Sequence, residues 1–92
     1  MIDFAYDQHK NLANIAKHGI SFEDATQAFY DPFVIIMDDA AHSKNEKRFF
    51  CFGSVSGEIL TIRFTMRGNT VRIFGAAYWR KGAKIYAQEN GF

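Results

Sequence analysis

Proline and cysteine occur once each among the 92 residues, and no hydrophobic run is long. The lone cysteine, Cys51, excludes an internal disulfide and fits a reducing compartment. The longest uninterrupted aliphatic and aromatic run, Phe33–Met37 (FVIIM), is far too short to cross a bilayer. Asp3 and Asp7 bracket the only early apolar residues, so no signal peptide is expected. Internal repeats, linkers and low-complexity segments are lacking, as are a glycine-rich phosphate loop and a Ser-His-Asp pattern. His9, His18 and His42 show no paired ligand spacing, and Asp38–Asp39–His42 is a weak cluster. Neither a metal nor a cofactor is expected. What these absences leave is one soluble, cytoplasmic domain over residues 1–92, with no membrane partner.

What is present is aromatic and unevenly charged. An apolar content of 48% with ten phenylalanines excludes a disordered chain and demands a core. The net charge of +1 hides an asymmetry. Residues 1–46 carry eight acids against three lysines, net −5, whereas residues 47–92 carry eight bases against two acids, net +6. All five arginines lie in the second half. A basic half points to a polyanionic partner, and the acidic half tempers indiscriminate binding.

Local signals order the chain. Ile2–Tyr6 reads as a short strand, and Asp7 as the N-cap of a helix over Gln8–His18 that Gly19 stops. Leu12, Ile15 and Ala16 mark the apolar stripe of that helix, opposite a polar stripe of Lys10, Asn14 and Lys17 with Asn11 and His18 beside it. Ser21, with Asp24 three residues on, opens a second helix that buries Phe22, Ala25 and Phe29 and ends at Asp31–Pro32. The period then changes to two. Phe33–Met37 reads as a buried strand and residues 38–45 as a polar loop. Strands follow over Lys47–Ser54, Leu60–Arg67 and Thr70–Ala76, joined by hairpins at Ser56–Gly57 and Gly68–Asn69. Trp79–Glu89 closes the chain as a helix. The order β-α-α-β-β-β-β-α describes a two-layer α+β fold, with helices on one face of a mainly antiparallel sheet.

Alternation across those strands gathers the arginines. Leu60, Ile62, Phe64 and Met66 point one way, and Thr61, Arg63, Thr65 and Arg67 the other. With two-residue loops, two rows cross three strands on one face: Arg48–Thr65–Arg72 and Phe50–Arg63–Phe74. Neighbouring like charges repel by a few tenths to ~1 kcal/mol per pair, so four arginines without interleaved acids are not there for stability. Guanidinium forks suit phosphate oxygens, and phenyl faces suit unstacked bases. The competing expectation is a solvated sheet face, or arginines paired with carboxylates from the acidic half. One β-bulge would reshuffle the rows.

Three further readings stand beside that face. Lys17–His18–Gly19 offers either an imidazole beside a fixed cation or a basic helix end that complements the dipole. Glu46, two residues before Arg48, is either a general base or an ion-pair partner. Cys51 is expected in the core with Phe49, which argues against a thiol nucleophile.

Phe4–Ala25, FAYDQHKNLANIAKHGISFEDA, resembles the opening signature of the BrnT toxins, with its aromatic-Asp, Lys, Asn, Lys-His-Gly and Ser-Phe-Glu elements. The similarity continues through Phe29–Pro32 (FYDP), the Glu46-x-Arg48 pair, Thr65-x-Arg67 and Arg72-Ile73. It implies a RelE-like fold and a metal-independent endoribonuclease toxin of a type II toxin–antitoxin pair. It also implies a BrnA-like DNA-binding antitoxin that covers the toxin, so that operator DNA is reached only through that partner. By position, it gives functional roles to Lys17, His18, Glu46, Arg48, Arg67 and Arg72. Where the family commonly carries Ser-Ala-Arg, this chain has Gly75-Ala76-Ala77. Arg80, three residues on, is the expected substitute. Without one, the chain is an RNA-binding or protein-binding module of the same fold.

Overall fold

Alternating apolar residues from Ile35 onward build a sheet that the N-terminal third of the chain then covers. The computed structural model describes residues 1–92. Its five strands are β1 (Asp3–Tyr6), β2 (Ile35–Asp38), β3 (Arg48–Val55), β4 (Glu58–Arg67) and β5 (Thr70–Ala77). They lie in the order β1-β5-β4-β3-β2, antiparallel except where β1 runs parallel to β5. The helices are α1 (Gln8–His18), α2 (Phe22–Ala25) and α3 (Arg80–Asn90), with 3₁₀ turns at Thr26–Tyr30 and Ala40–His42. This is the expected α+β order on a mainly antiparallel sheet. No helix is long and apolar enough to cross a membrane.

Turn chemistry sets the register of the three long strands. Ser56 and Gly57 both take positive φ, and Gly68 does at the second hairpin. These are the mirror-image turns whose twist matches that of the flanking strands. With the register so fixed, Phe64, Ile62, Leu60, Cys51 and Ile73 share one face with Phe22, Ala25 and Ala28, all nearly inaccessible to solvent. A side chain on Gly53 would collide with the backbone of Ala28, so the absence of one lets the 3₁₀ turn sit directly on β3. Cys51 lies in this core, where burial first, and then the charge of Asp31, push its thiol up to about 12. The helices do not all share one face as expected: the C-terminal helix crosses the opposite one, where Gly82 lets it sit against Thr61 and the ring of Phe52.

The structure corrects the expectation for α1. Its Asp7 N-cap and left-handed Gly19 stop are as expected, but the helix is turned the other way. Asn11 and Asn14 are buried, while Leu12 is 55% and Ile15 40% exposed. The cause is an unfinished edge. Strand β1 ends at Tyr6 opposite Ile73, leaving the outer edge of β5 open beyond that point. Asn14 takes over there, donating to the Ala76 carbonyl at 2.9 Å and accepting from the Ala76 N–H at 3.1 Å. Asn14 also donates to the Ile20 carbonyl, and Asn11 accepts from the first N–H of α2, that of Phe22, at 2.8 Å. Buried backbone groups need polar partners, and Leu12 and Ile15 have none to offer.

The Phe33–Met37 strand is also corrected. Only Ile35–Asp38 pairs, on one side, and both Phe33 and Ile36 are half exposed. As the sheet's outermost strand, β2 has one neighbour, so Ile36 lines an open apolar hollow with Phe29, Phe49, Phe64, Met66 and Val71.

Asp31 ties the two faces together around the β3 edge. Its carboxylate accepts from Tyr86 Oη of α3 at 2.6 Å, Ser54 N at 2.7 Å and Phe33 N at 2.9 Å. Burial opposes its charge, but these three bonds outweigh that, and its pKa is lowered. Tyr86→Phe removes one bond to a charged acceptor, and urea titration near neutral pH should show a loss of about 1.5–3 kcal/mol. A depressed carboxyl pKa stabilises the fold above about pH 4 and stops doing so as pH falls through the folded-state value. The gap between wild type and Tyr86→Phe should therefore close in acid.

Candidate nucleic-acid interface

Arg48 pairs with Thr65, and Thr65 with Arg72, so the first expected row crosses β3, β4 and β5 in register. The second row is altered. Phe50 pairs with Arg63 as expected, but Arg63 faces Gly75, because a bulge between Arg63 and Phe64 leaves Phe74 as the extra residue. The bulge lets both Phe74 and Gly75 face the arginine side. Phe74 thus lies between two cations: the Arg48 guanidinium sits 4.4 Å from its ring centre and that of Arg63 5.6 Å. Each exposed cation–π contact of this kind is worth about 0.5–1 kcal/mol and aims the guanidinium.

Thr65 is at the centre of the row but is only 2% exposed, and its hydroxyl donates to the Lys47 carbonyl at 2.7 Å. It holds the start of β3 in place and presents no group to a ligand. Phe50 stacks on Phe52 at 5.7 Å and on Trp79 at 5.6 Å, which extends the aromatic surface toward α3. Arg80 follows Trp79 as the first residue of α3, exposed.

Glu46 lies between Arg48 and Arg67, 3.7 Å from a terminal nitrogen of each. These separations are too long for hydrogen bonds, and half-exposed pairs of this kind contribute about 0–1 kcal/mol. Glu46 therefore moderates the repulsion between two guanidiniums without neutralising either. Arg63 and Arg72 make no ion pair.

The loop that presents Glu46 is tied down at its base. Asp39 N donates to the Arg48 carbonyl at 2.8 Å, Arg48 N to Ser43 Oγ at 2.9 Å, and Ser43 Oγ to the Asp39 carbonyl at 2.7 Å. The same loop carries Asp39 and His42, which the sequence offers only as part of a weak metal-type cluster. His42 Nδ1 lies 2.9 and 3.1 Å from the two Asp39 carboxylate oxygens, and Asp39 is only 5% exposed. With Nδ1 engaged, Nε2 is the nitrogen left for other partners. His42, Lys44, Asn45, Glu46, Arg48 and Arg67 line one hollow. The available signal was Asp39-x-x-His42-Ser43 at a strand end, a turn that brings positions three apart together.

Lys17 and His18 stand apart from this group. They are exposed on the last turn of α1, and the next residues, Gly19 and Ile20, border a hollow with Tyr78 and the Ser56 end of the β3–β4 hairpin. Arg67 adjoins the other hairpin, at the far end of β4. Ten residues of strand separate the two ends, roughly 30 Å.

The arrangement sets a cluster of phosphate-grade donors and interleaved aromatic rings beside a hollow that holds a carboxylate and an imidazole. Comparison with known proteins agrees with such chemistry. The profile of the ribonuclease toxin, BrnT, of type II toxin–antitoxin systems matches residues 6–82, from the last residue of β1 to the first turn of α3. No curated protein matches the chain. With most of its length inside that profile, the chain belongs to the BrnT family of ribonuclease toxins of type II toxin–antitoxin systems.

Proposed function

We propose that this chain is a metal-independent endoribonuclease that cleaves cytoplasmic RNA and arrests growth, and that a BrnA-like DNA-binding antitoxin neutralises it. One observation carries the proposal: His42, backed by Asp39, and Glu46 share a hollow with Arg48 and Arg67 at the end of the arginine row. Cleavage by the neighbouring 2′-hydroxyl needs a base for its proton, donors for the charged phosphorane-like transition state and an acid for the leaving 5′-oxygen. Glu46 and His42 divide the two proton transfers. Asp39 holds the imidazole ring in place, acting through His42 alone. Arg48, Arg67 and Arg72 clamp the reacting phosphate, while Arg63, Phe74 and Phe50 take the adjoining backbone and bases.

Lys17 and His18 lie outside this constellation and take no part in its proton transfers. Ala77, which stands where the family commonly has arginine, pairs with Thr61 on the arginine face. Arg80, on the first turn of α3, lines a separate hollow with Trp79, Lys81 and Lys84, and is the candidate to replace that cation. The antitoxin covers the same basic face with an acidic segment, so substrate and inhibitor exclude one another.

The second reading, an RNA-binding module that no longer cuts, rests on Ala77. Purified protein incubated with single-stranded RNA and EDTA separates the two: new RNA ends appear with an enzyme and not with a binder. Arg72→Ala should slow cleavage on the order of 100- to 1,000-fold, the loss expected of one transition-state donor, with an unchanged thermal melt. His42→Ala should abolish cleavage while His18→Ala retains it; the reverse result would move the acid–base chemistry to the end of α1. Arg80→Ala with undiminished cleavage would remove Arg80 from the phosphate site. The four arginines of the sheet face, Arg48, Arg63, Arg67 and Arg72, give a slope of log affinity against log salt of about −3 for single-stranded RNA, and Arg72→Ala should flatten it by about 0.7.

A further inference from the structure

The start of α3 gathers more cations than the cleavage chemistry uses. Arg80, Lys81 and Lys84, all exposed, line one hollow with Trp79, Ile85 and Gln88, and no carboxylate borders it. None of the three cations makes an ion pair. Their placement works against the helix that carries them. Lys84 follows Arg80 by four residues and Lys81 by three, spacings at which like charges repel. Arg80 and Lys81 also sit in a first turn that holds no acid, where positive charge opposes the helix dipole. Folding gives no reason for three cations at these surface positions.

Trp79 joins the hollow to the arginine face. It lines the hollow, and its ring lies 5.6 Å from that of Phe50 and 6.4 Å from that of Phe52, at interplanar angles of 35° and 34°. Phe50 pairs with Arg63 and follows Arg48 by two residues along β3, about 7 Å. Lys81 Nζ in turn lies 5.8 Å from the centre of the Trp79 ring, and the indole is 39% exposed. Ring surface and cations thus alternate from Arg48 through Phe50 and Trp79 to Lys81. A single-stranded nucleic acid presents the complementary series, in which flat bases alternate with phosphates. An acidic peptide offers the charge without the flat faces.

We infer that the α3 hollow is a flanking subsite for single-stranded RNA, at which Trp79 stacks a base and Lys81 and Lys84 hold phosphate beyond the one that is cut. The inference rests on the reading of the chain as an RNA-cleaving enzyme. A strand long enough to cover both the arginine face and the hollow is then the preferred substrate. Lys81 and Lys84 contribute to that preference through binding, and the chemical step is the same for short and long strands.

The test compares a trinucleotide with a dodecamer, both single-stranded 2′-O-methyl RNA. Neither can be cleaved through its 2′-oxygens, so binding is read whether or not the chain cuts. Trp79 is the sole tryptophan, and its fluorescence reports a stacked base directly. The full-length wild type should bind the dodecamer more tightly, with quenching that the trinucleotide does not produce. Lys81→Ala combined with Lys84→Ala should weaken dodecamer binding about 10-fold at low salt and flatten its salt slope by about 1.4, leaving trinucleotide binding unchanged. Trp79→Leu, which keeps an apolar cover over Phe52, should weaken dodecamer binding at least about 5-fold. The thermal melt of the lysine variant should not fall, since the charges removed repel one another. On unmodified RNA that variant should raise KM for long strands and leave kcat alone. Unaltered dodecamer affinity in the lysine variant, equal losses for both probes, or an absence of quenching would each overturn the inference. So would a lysine variant that keeps RNA binding and loses the antitoxin, because the hollow would then be a protein site. Failure of the wild type to cut unmodified RNA, with length-dependent binding intact, would count against the nuclease reading alone.

Discussion

A slip of one residue in the pairing of β4 would send Arg63 and Arg67 into the phenylalanine core and turn Ile62 and Phe64 out to water. Nearly everything else in the molecule depends on that slip not happening. Two tight hairpins, with Ser56, Gly57 and Gly68 in left-handed backbone, prevent it. The apolar face then receives α2 and its 3₁₀ extension, and the other face collects arginine. The bulge at Phe74 interrupts the ladder only beyond the Arg48–Thr65–Arg72 row. It adds an aromatic ring between two guanidiniums without dispersing the cluster.

The division of charge along the chain resolves into one site made from both halves. The acidic half does not shield the arginines by pairing with each of them. It contributes one loop, whose Glu46 stands between Arg48 and Arg67 and whose Asp39 is taken up by His42. Arginines left incompletely paired retain the capacity to meet phosphate, and Glu46 and His42 stay beside them because Ser43 fastens the loop to the start of β3. In the proposed reaction, substrate grip and acid–base chemistry fall to different segments that meet at the base of one strand.

Much of the fold was legible because its determinants are local. Asp7, Gly19, Ser21 and the two hairpin pairs act on residues within four positions of themselves, and each does in the structure what its chemistry predicts. The orientation of α1 was not legible, because the partner of Asn14 is Ala76, 62 residues away, and the need for it arises only once β1 stops short. The bulge escaped for the same reason, since nothing near Phe74 in sequence announces that the strand will carry an extra residue. The sequence offers His42 only as part of a weak metal-type cluster, because His and Asp spaced by three are common and only the fold shows Asp39 buried behind the ring. The Arg48–Thr65–Arg72 row was legible from alternation, whereas Thr65, at its centre, proves to be sealed inside.

The buried thiol has a consequence of its own. With its pKa raised to about 12, Cys51 holds almost no thiolate at cellular pH, and its sulfur lies beneath the sheet. Alkylating reagents and peroxide act on thiolates they can touch, so they meet this sulfur only during moments when β3 parts from its neighbours. The chain thus carries a chemical clock for its own opening, readable by mass, and resists forming mixed disulfides for as long as it stays folded.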